Sequence, residues 1–361
     1  MSETLRMIIA YLLIIPQIVI PAFTGWLIPV KNAKFEKWDE SKKFKDSYAF
    51  EIEKDPDKDF VILNLTDIQL GNREMLGTFG EMAKYTIDTL VEENKPDLIT
   101  VTGDNGGDCY TYITLAKWFD SYGIPWALVM GNHDGQGTPN EKWCARSVVN
   151  SKNGLFKMGP KDMGIGNYII NITEGDKIVH TLFMMDSHSD AADDSINKVE
   201  GKHGYDHFWQ PQLDWYKWAV NGISEINGSV VPSTVFMHIP VYQYRLAWDS
   251  HFDKINGCFK PEYADTDFGV NHEWICSAEK DNGFFDLCKE LGSTKDMVCG
   301  HDHINCSSIL YDGIRLSYGV KTGAGCYWEP QMSGGTTITI GSDGHAKIEH
   351  LFIDKSDMLS K

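Results

Sequence analysis

Positive charge is scarce in this chain. Its 361 residues carry 33 Lys and Arg against 51 Asp and Glu, a formal net charge of −18. A surface of that sign repels nucleic-acid backbones and anionic lipid, so a basic groove for long nucleic acid is not expected. No block of Lys and Arg marks a nucleic-acid tail. None of the eight cysteines stands in a C-x-x-C pair, which weakens zinc-ribbon and thioredoxin readings. Their even number leaves disulfides and free thiols equally open. Internal repeats and low-complexity tracts are absent as well.

What is present begins with an uncharged run from Met7 to Val30. It is long enough for a bilayer, which needs ~20 apolar residues, although Pro16, Pro21 and Pro29 would kink a helix there. Residues 1–30 therefore read as a signal or membrane anchor, cleaved or retained. Residues 31–58 are charged and poor in apolar periodicity, and read as a linker; 59–355 read as the folded domain. The leader places that domain outside the cytoplasm, anchored or secreted. Sequons at Asn64, Asn171, Asn227 and Asn305 are taken as chance, since Asn64 lies in a predicted buried strand.

Within the domain, short apolar runs alternate with helical spacing. Strands are predicted at 60–66, 97–102 and 125–130, with helices at 76–94 and 111–122 between them. That order implies a parallel sheet with right-handed crossovers. Later strands are expected near 167–172, 178–185, 234–237, 296–299, 304–310, 314–318, 335–341 and 346–353, with helices near 211–226 and 283–291.

Polar residues cluster where these strands end. Asp67 follows the first, Asp104 the second, and Asn132, His133 and Asp134 the third. His238 follows a later strand, and His301 and His303 follow Met297–Cys299. The carboxyl edge of a parallel sheet is where ligand crevices form. Two imidazole-rich halves around a shared carboxylate suit a pair of cations. Such a pair, ~3.5–4 Å apart, lowers the pKa of a bound water to make a hydroxide nucleophile and neutralises charge on a phosphoryl group. In that scheme Asp104 bridges, Asp67 and His303 hold one ion, and Asn132, His238 and His301 hold the other. His133 is left to act as acid or charge stabiliser, oriented by Asp134. Gln69 and Asn105 are secondary candidates for metal contact, and Tyr242, Tyr244 and His203 for substrate contact. Lys321 is a weaker candidate for a substrate phosphate.

The series TDIQLGN, TGDN, GNHD, MHIP and GHDH, with SYGVKTGAGCY at 317–327, resembles the blocks of calcineurin-like metallophosphoesterases, and most of all their purple-acid-phosphatase-like branch. The likeness runs over about residues 60–353. It implies a four-layer α/β/β/α sandwich of the metallo-dependent phosphatase type and a binuclear centre of Fe, Mn or Zn. It also implies hydrolysis of a phosphomonoester or phosphodiester on a small molecule or protein. Two departures stand out. The first block usually reads Asp-x-His, and here Gln69 takes the His position. The Tyr that colours purple acid phosphatases falls on Gly107, with Asp108 and Tyr110 nearby. These departures predict a weaker ion on the Asp67 side. They keep a metal-poor, non-catalytic surface binding protein as the alternative, beside a nucleotide pyrophosphatase or nuclease.

Overall fold

Continuous apolar runs become strands covered on both faces. The computed structural model describes residues 33–71, 77–107, 109–134, 136, 141–192 and 204–355, with backbone alone at 109 and 110. In chain order its elements are β1 (Ala49–Glu53), β2 (Phe60–Leu65), α1 (Thr78–Asn94), β3 (Leu98–Thr102), α2 (Cys109–Ser121), β4 (Trp126–Val129), α3 (Glu141–Val149), β5 (Tyr168–Glu174), β6 (Lys177–Met184), α4 (Gln210–Asn227), β7 (Ser233–Phe236), α5 (Gln243–His251), β8 (Phe252–Asp253), β9 (Cys258–Phe259), α6 (Phe284–Leu291), β10 (Thr294–Cys299), β11 (Ser308–Tyr311), β12 (Ile314–Tyr318), β13 (Gly334–Ile340) and β14 (Ala346–Phe352).

Two sheets carry the fold. One has the order β14-β13-β2-β3-β4, the other β1-β5-β6-β7-β10-β12-β11. β2, β3 and β4 are parallel neighbours, as are β6, β7 and β10. Period-two alternation sorts the second sheet's side chains between two cores. Tyr168, Ile170, Leu182 and Met184 join the core shared with the first sheet and α1, α2 and α3. Ile169, Phe183 and Met185 join the core under α4, α5 and α6. The layers are thus helix, sheet, sheet, helix, the sandwich that the sequence blocks implied. One tyrosine joins the sheets: the Tyr168 hydroxyl donates to Leu128 O at 2.7 Å and accepts from Leu128 N at 3.0 Å. It thereby occupies backbone groups of the edge strand β4.

Several expectations are corrected here. Residues 31–58 are not simply a linker, because β1 pairs in parallel with β5 and Phe44 is buried in the second core. Only Phe50 and Ile52 of β1 turn to the first core, a signal too short to stand out from charged flanks. Helices α3 and α5 were not foreseen. Asn64, Asn171 and Asn305 are buried, so these sequons cannot carry glycans as the fold stands. The seven cysteines whose side chains are described are free thiols. The hydrophobic leader lies outside the described residues; among those, no helix is long and apolar enough to cross a membrane.

Candidate metal centre

The two sheets point the carboxyl ends of five strands at one place. Asp67 lies just past β2, Asp104 past β3, Asn132 past β4, His238 past β7, and His301 and His303 past β10. Close approach depends on glycine at two of these turns. A Cβ on Gly103, whose φ is +83°, would lie 2.5 Å from His238 Nδ1. A Cβ on Gly300 would lie 2.0 Å from Thr66 Oγ1 and 2.5 Å from Asp67 Oδ2. Neither distance is compatible with a side chain.

Asp67, Asp104 and His303 are buried, and their ligand atoms lie within 4.8 Å of one another. His303 Nε2 stands 3.4 Å from Asp67 Oδ1, and its Nδ1 is fixed by Tyr327 O at 3.0 Å. On the other side, His238 Nε2 lies 3.3 Å from Asp104 Oδ1 and 2.9 Å from Asn132 Oδ1. Thr102 O, 2.8 Å from His238 Nδ1, places a proton on that nitrogen and leaves Nε2 facing the site. His301 packs with its ring centroid 5.1 Å from that of His238. All six residues expected as metal ligands are therefore together.

Fit to a cation rests on atoms that protein groups leave unserved. Asp67 Oδ1, Asn105 Oδ1 and His301 Nε2 are buried without a hydrogen-bond partner, which in a native fold calls for an ion or water. Burial would push the Asp104 carboxyl up, but His238 outweighs it and holds Asp104 well below the ordinary carboxylate range. Against burial, the same pairing lifts His238 to about 10. His301 is instead pushed down to about 3 by burial and then by His238. A neutral imidazole with an unpartnered nitrogen is the state a metal ligand requires.

Other candidates fall unevenly. His133 is half exposed; its Nδ1 lies 2.8 Å from Gln136 Oε1 and its Nε2 3.9 Å from Asp104 Oδ2. Asp134 does not orient it. That carboxylate is fully buried and accepts from Asn105 N at 2.8 Å, Gly106 N at 3.0 Å, Gly131 N at 2.7 Å and Asn105 Nδ2 at 3.0 Å. It ties the loops after β3 and β4 together. Gln69, expected as a possible metal contact, has both ends of its amide engaged by protein groups. Its Oε1 accepts from Lys321 Nζ at 2.9 Å, and its Nε2 donates to Asp104 Oδ2 at 2.9 Å. Asn105 turns its amide nitrogen to Asp134 and Tyr112, leaving its oxygen unpartnered. Tyr244 is core, with its hydroxyl donating to Met297 O at 2.9 Å. Tyr242 is half-buried just before α5. His203, Asp108 and the Tyr110 side chain lie outside the described residues.

One neighbour, Thr66, was not singled out in sequence, while Tyr205 stood in a polar cluster near His203 as a possible rim residue. Thr66 Oγ1 donates to Asp67 Oδ2 at 2.7 Å, fixing that carboxylate. Tyr205 meets His301 edge-on at 4.4 Å, which brings it beside the ligand cluster. The SYGVKTGAGCY block acquires a purpose. Thr322 N donates to Thr66 O at 2.9 Å, strapping this loop over the turn that carries Asp67. Beside Asn132 opens a cleft of about 800 Å³ lined by Gln136, Glu141, Asp186, His188 and Trp209 among others. His188 stacks on Trp209 at 3.9 Å there, and Asp186 is held by Ile165 N and His188 N.

Comparison with known proteins agrees with this geometry. The family model described as calcineurin-like phosphoesterase matches residues 60–305. "Probable inactive purple acid phosphatase 14" of Arabidopsis thaliana is 29% identical over 63% of this chain and 59% of that protein. "Phosphatase DCR2" of Saccharomyces cerevisiae is 26% identical over 81% of this chain and 52% of that protein. The chain thus spans little more than half the length of these curated relatives. Among solved structures, a dimetal phosphatase from Danio rerio is similar over 80% of this chain and 98% of its own, with 11% identity and a TM-score of 0.48.

Proposed function

The chain belongs to the calcineurin-like phosphoesterase family, and from that premise we propose that it is a metal-dependent phosphoester hydrolase. One observation carries the reading. Two buried carboxylates and three imidazoles from four strand ends converge, with Asp67 Oδ1 and His301 Nε2 left without a partner. Asp67, His303 and Asp104 would hold one ion; Asn132, His238 and His301 would hold a second, shared through Asp104. Bound cations supply Lewis acidity and activation of water toward phosphorus.

The chain's own groups do the rest. With Gln136 Oε1 2.8 Å from its Nδ1, His133 is arranged for the neutral tautomer that carries its proton there. Its Nε2 is then the nitrogen that takes up a proton and hands it to a leaving oxygen. Half exposure puts that nitrogen within reach of substrate, and the cleft beside Asn132 offers room for the alcohol portion.

A second reading is favoured by one specific feature. Gln69 gives its oxygen to Lys321 where the family usually has a His ligand, and several similar plant proteins are named probable inactive. On that reading the chain binds phosphoesters without cleaving them. The full chain, stripped by chelator and resupplied with Mn²⁺, Fe²⁺ or Zn²⁺, separates the two when assayed on p-nitrophenyl phosphate and its bis ester. Hydrolysis restored by an ion supports the enzyme. Less than one bound ion and no turnover with any of them would leave the non-catalytic reading. His133→Ala is expected to keep its ions and lose about 10²–10⁴ in rate.

A further inference from the structure

Resting on the metal-dependent reading, we infer that Lys321 is a positioning residue that turns the Gln69 amide oxygen away from the Asp67–Asp104–His303 site and so weakens ion binding there. The amide is held between two groups of opposite demand. Lys321 Nζ has only hydrogens to give and faces Gln69 Oε1 at 2.9 Å. Asp104, ionised, has only lone pairs and faces Gln69 Nε2 at 2.9 Å. The orientation is thus forced, not chosen by convention. Turning the amide over would set NH₂ against an ammonium and oxygen against a carboxylate.

The backbone on both sides is pinned, so the lock cannot relax by drifting. Gln69 sits at φ 47° with its N–H on Asp104 O at 2.9 Å. A Cβ on Gly325 would come within 2.1 Å of Gln69 O, which shows how tightly the next loop covers this turn. Lys321 is 2% exposed, and its Nζ also donates to Asp67 O at 2.9 Å. Its own carbonyl accepts from Gly334 N at 2.8 Å and Ser333 Oγ at 3.1 Å.

Two consequences reach the ion. Gln69 contributes no ligand oxygen, and its NH₂ occupies the Asp104 oxygen that a shared ion would need. The ammonium adds a positive charge beside the same carboxylates. Residues behind a metal site, without touching it, commonly set affinity within a range of about 10–100-fold.

The test is a double-mutant cycle read by calorimetric titration of Mn²⁺ into the chelator-stripped full chain. Lys321→Met should tighten the weaker Mn²⁺ site by about tenfold or more, because Gln69 can then turn its oxygen inward. In a Gln69→Ala background the same change should give only the smaller gain due to the lost charge. Equal gains in both backgrounds, or none in either, would overturn the inference while leaving the metal reading intact. Gln69→Ala alone, which keeps Lys321 and does not disturb the core, should not weaken Mn²⁺ binding; a tenfold loss would mean that Gln69 ligates in the native protein and would also overturn it. This arm stands even if Lys321→Met fails to fold. No Mn²⁺ on the unaltered chain or any variant would sink the metal reading and the inference together.

Discussion

Asp134→Asn separates a structural clamp from a catalytic partner. The native carboxylate accepts from Asn105 N and Gly106 N on Oδ1 and from Gly131 N and Asn105 Nδ2 on Oδ2, with the Tyr112 hydroxyl also bonded to it. An amide can keep only one of those oxygens. Placing the new NH₂ at the Oδ1 position strands two buried backbone N–H groups. Placing it at Oδ2 is cheaper, because Asn105 can turn over and offer its unpartnered Oδ1. That leaves Gly131 N–H unmet, and a buried donor without a partner costs about 1–3 kcal/mol.

The expected loss of stability is therefore about 1–3 kcal/mol, with a Tm lower by about 2–4 °C for each kcal/mol in a domain of this size. Urea unfolding of the chelator-stripped protein measures it without a contribution from bound ions. Metal affinity should fall as well, since the loops after β3 and β4 carry Asp104 and Asn132. A variant with an unchanged urea midpoint and Tm, but a hydrolysis rate reduced as in His133→Ala, would refute the clamp. It would restore the reading in which Asp134 orients His133.

Three further outcomes follow from other parts of the fold. Gly103→Ala puts a Cβ 2.5 Å from His238 Nδ1 at φ +83°; it should weaken Mn²⁺ binding by about tenfold or more, and unaltered calorimetric affinity would contradict the close-packing account. Tyr168→Phe strips both partners from Leu128 N–H and C=O; a cost of about 2–4 kcal/mol should appear in urea unfolding, and a neutral result would mean that water replaces the hydroxyl. Burial lowers His180 from 6.5 to about 4, with its ring nitrogens on Gly344 O and Thr234 Oγ1. Because the folded state disfavours the charged ring, this stability is complete above the ordinary value and drains away as pH falls toward about 4. The drop amounts to roughly 3 kcal/mol, and His180→Gln should flatten the acid limb of a stability–pH curve.

Much of the fold was legible because its central strands announce themselves. FVILNL at β2 and LITVT at β3 are apolar along their length, since sheet covers one face and helix or sheet the other. The six candidate ligand positions, which the fold brings together, were legible for a related reason: polar residues directly after such runs have no packing role to explain them. Edge strand β1 was not legible, because its two apolar residues sit among charges. Nor was the role of Asp134. In the chain it adjoins His133, but its acceptors face backbone N–H groups about thirty residues away. The Lys321–Gln69 contact spans 252 positions, and no local pattern can encode which way an amide turns.

That contact explains how the centre holds two carboxylates together. Asp67, Gln69, Asp104 and His301 all occupy the left-handed region, with φ between 47° and 80°. Such residues cost about 1–3 kcal/mol each, and persist only where their surroundings insist on them. Here the insistence is visible beyond the ends of β2 and β3, where Asp67 N bonds Gly103 O at 3.1 Å and Gln69 N bonds Asp104 O at 2.9 Å. The ladder continues through residues that no longer have strand geometry, and that bend aims both carboxylates inward. Two buried negative charges this close must be balanced. His238 beside Asp104, and His303 with His238 and then Lys321 around Asp67, supply the balance in the protein itself. They are not equivalent. An imidazole that gives up its proton presents the same nitrogen to an ion, whereas the Lys321 Nζ is already engaged by Gln69 Oε1 and Asp67 O. Burial lowers Lys321 to about 8, while the carboxylates hold His238 at about 10 against burial, so a cation entering either half meets a proton that the protein itself holds there.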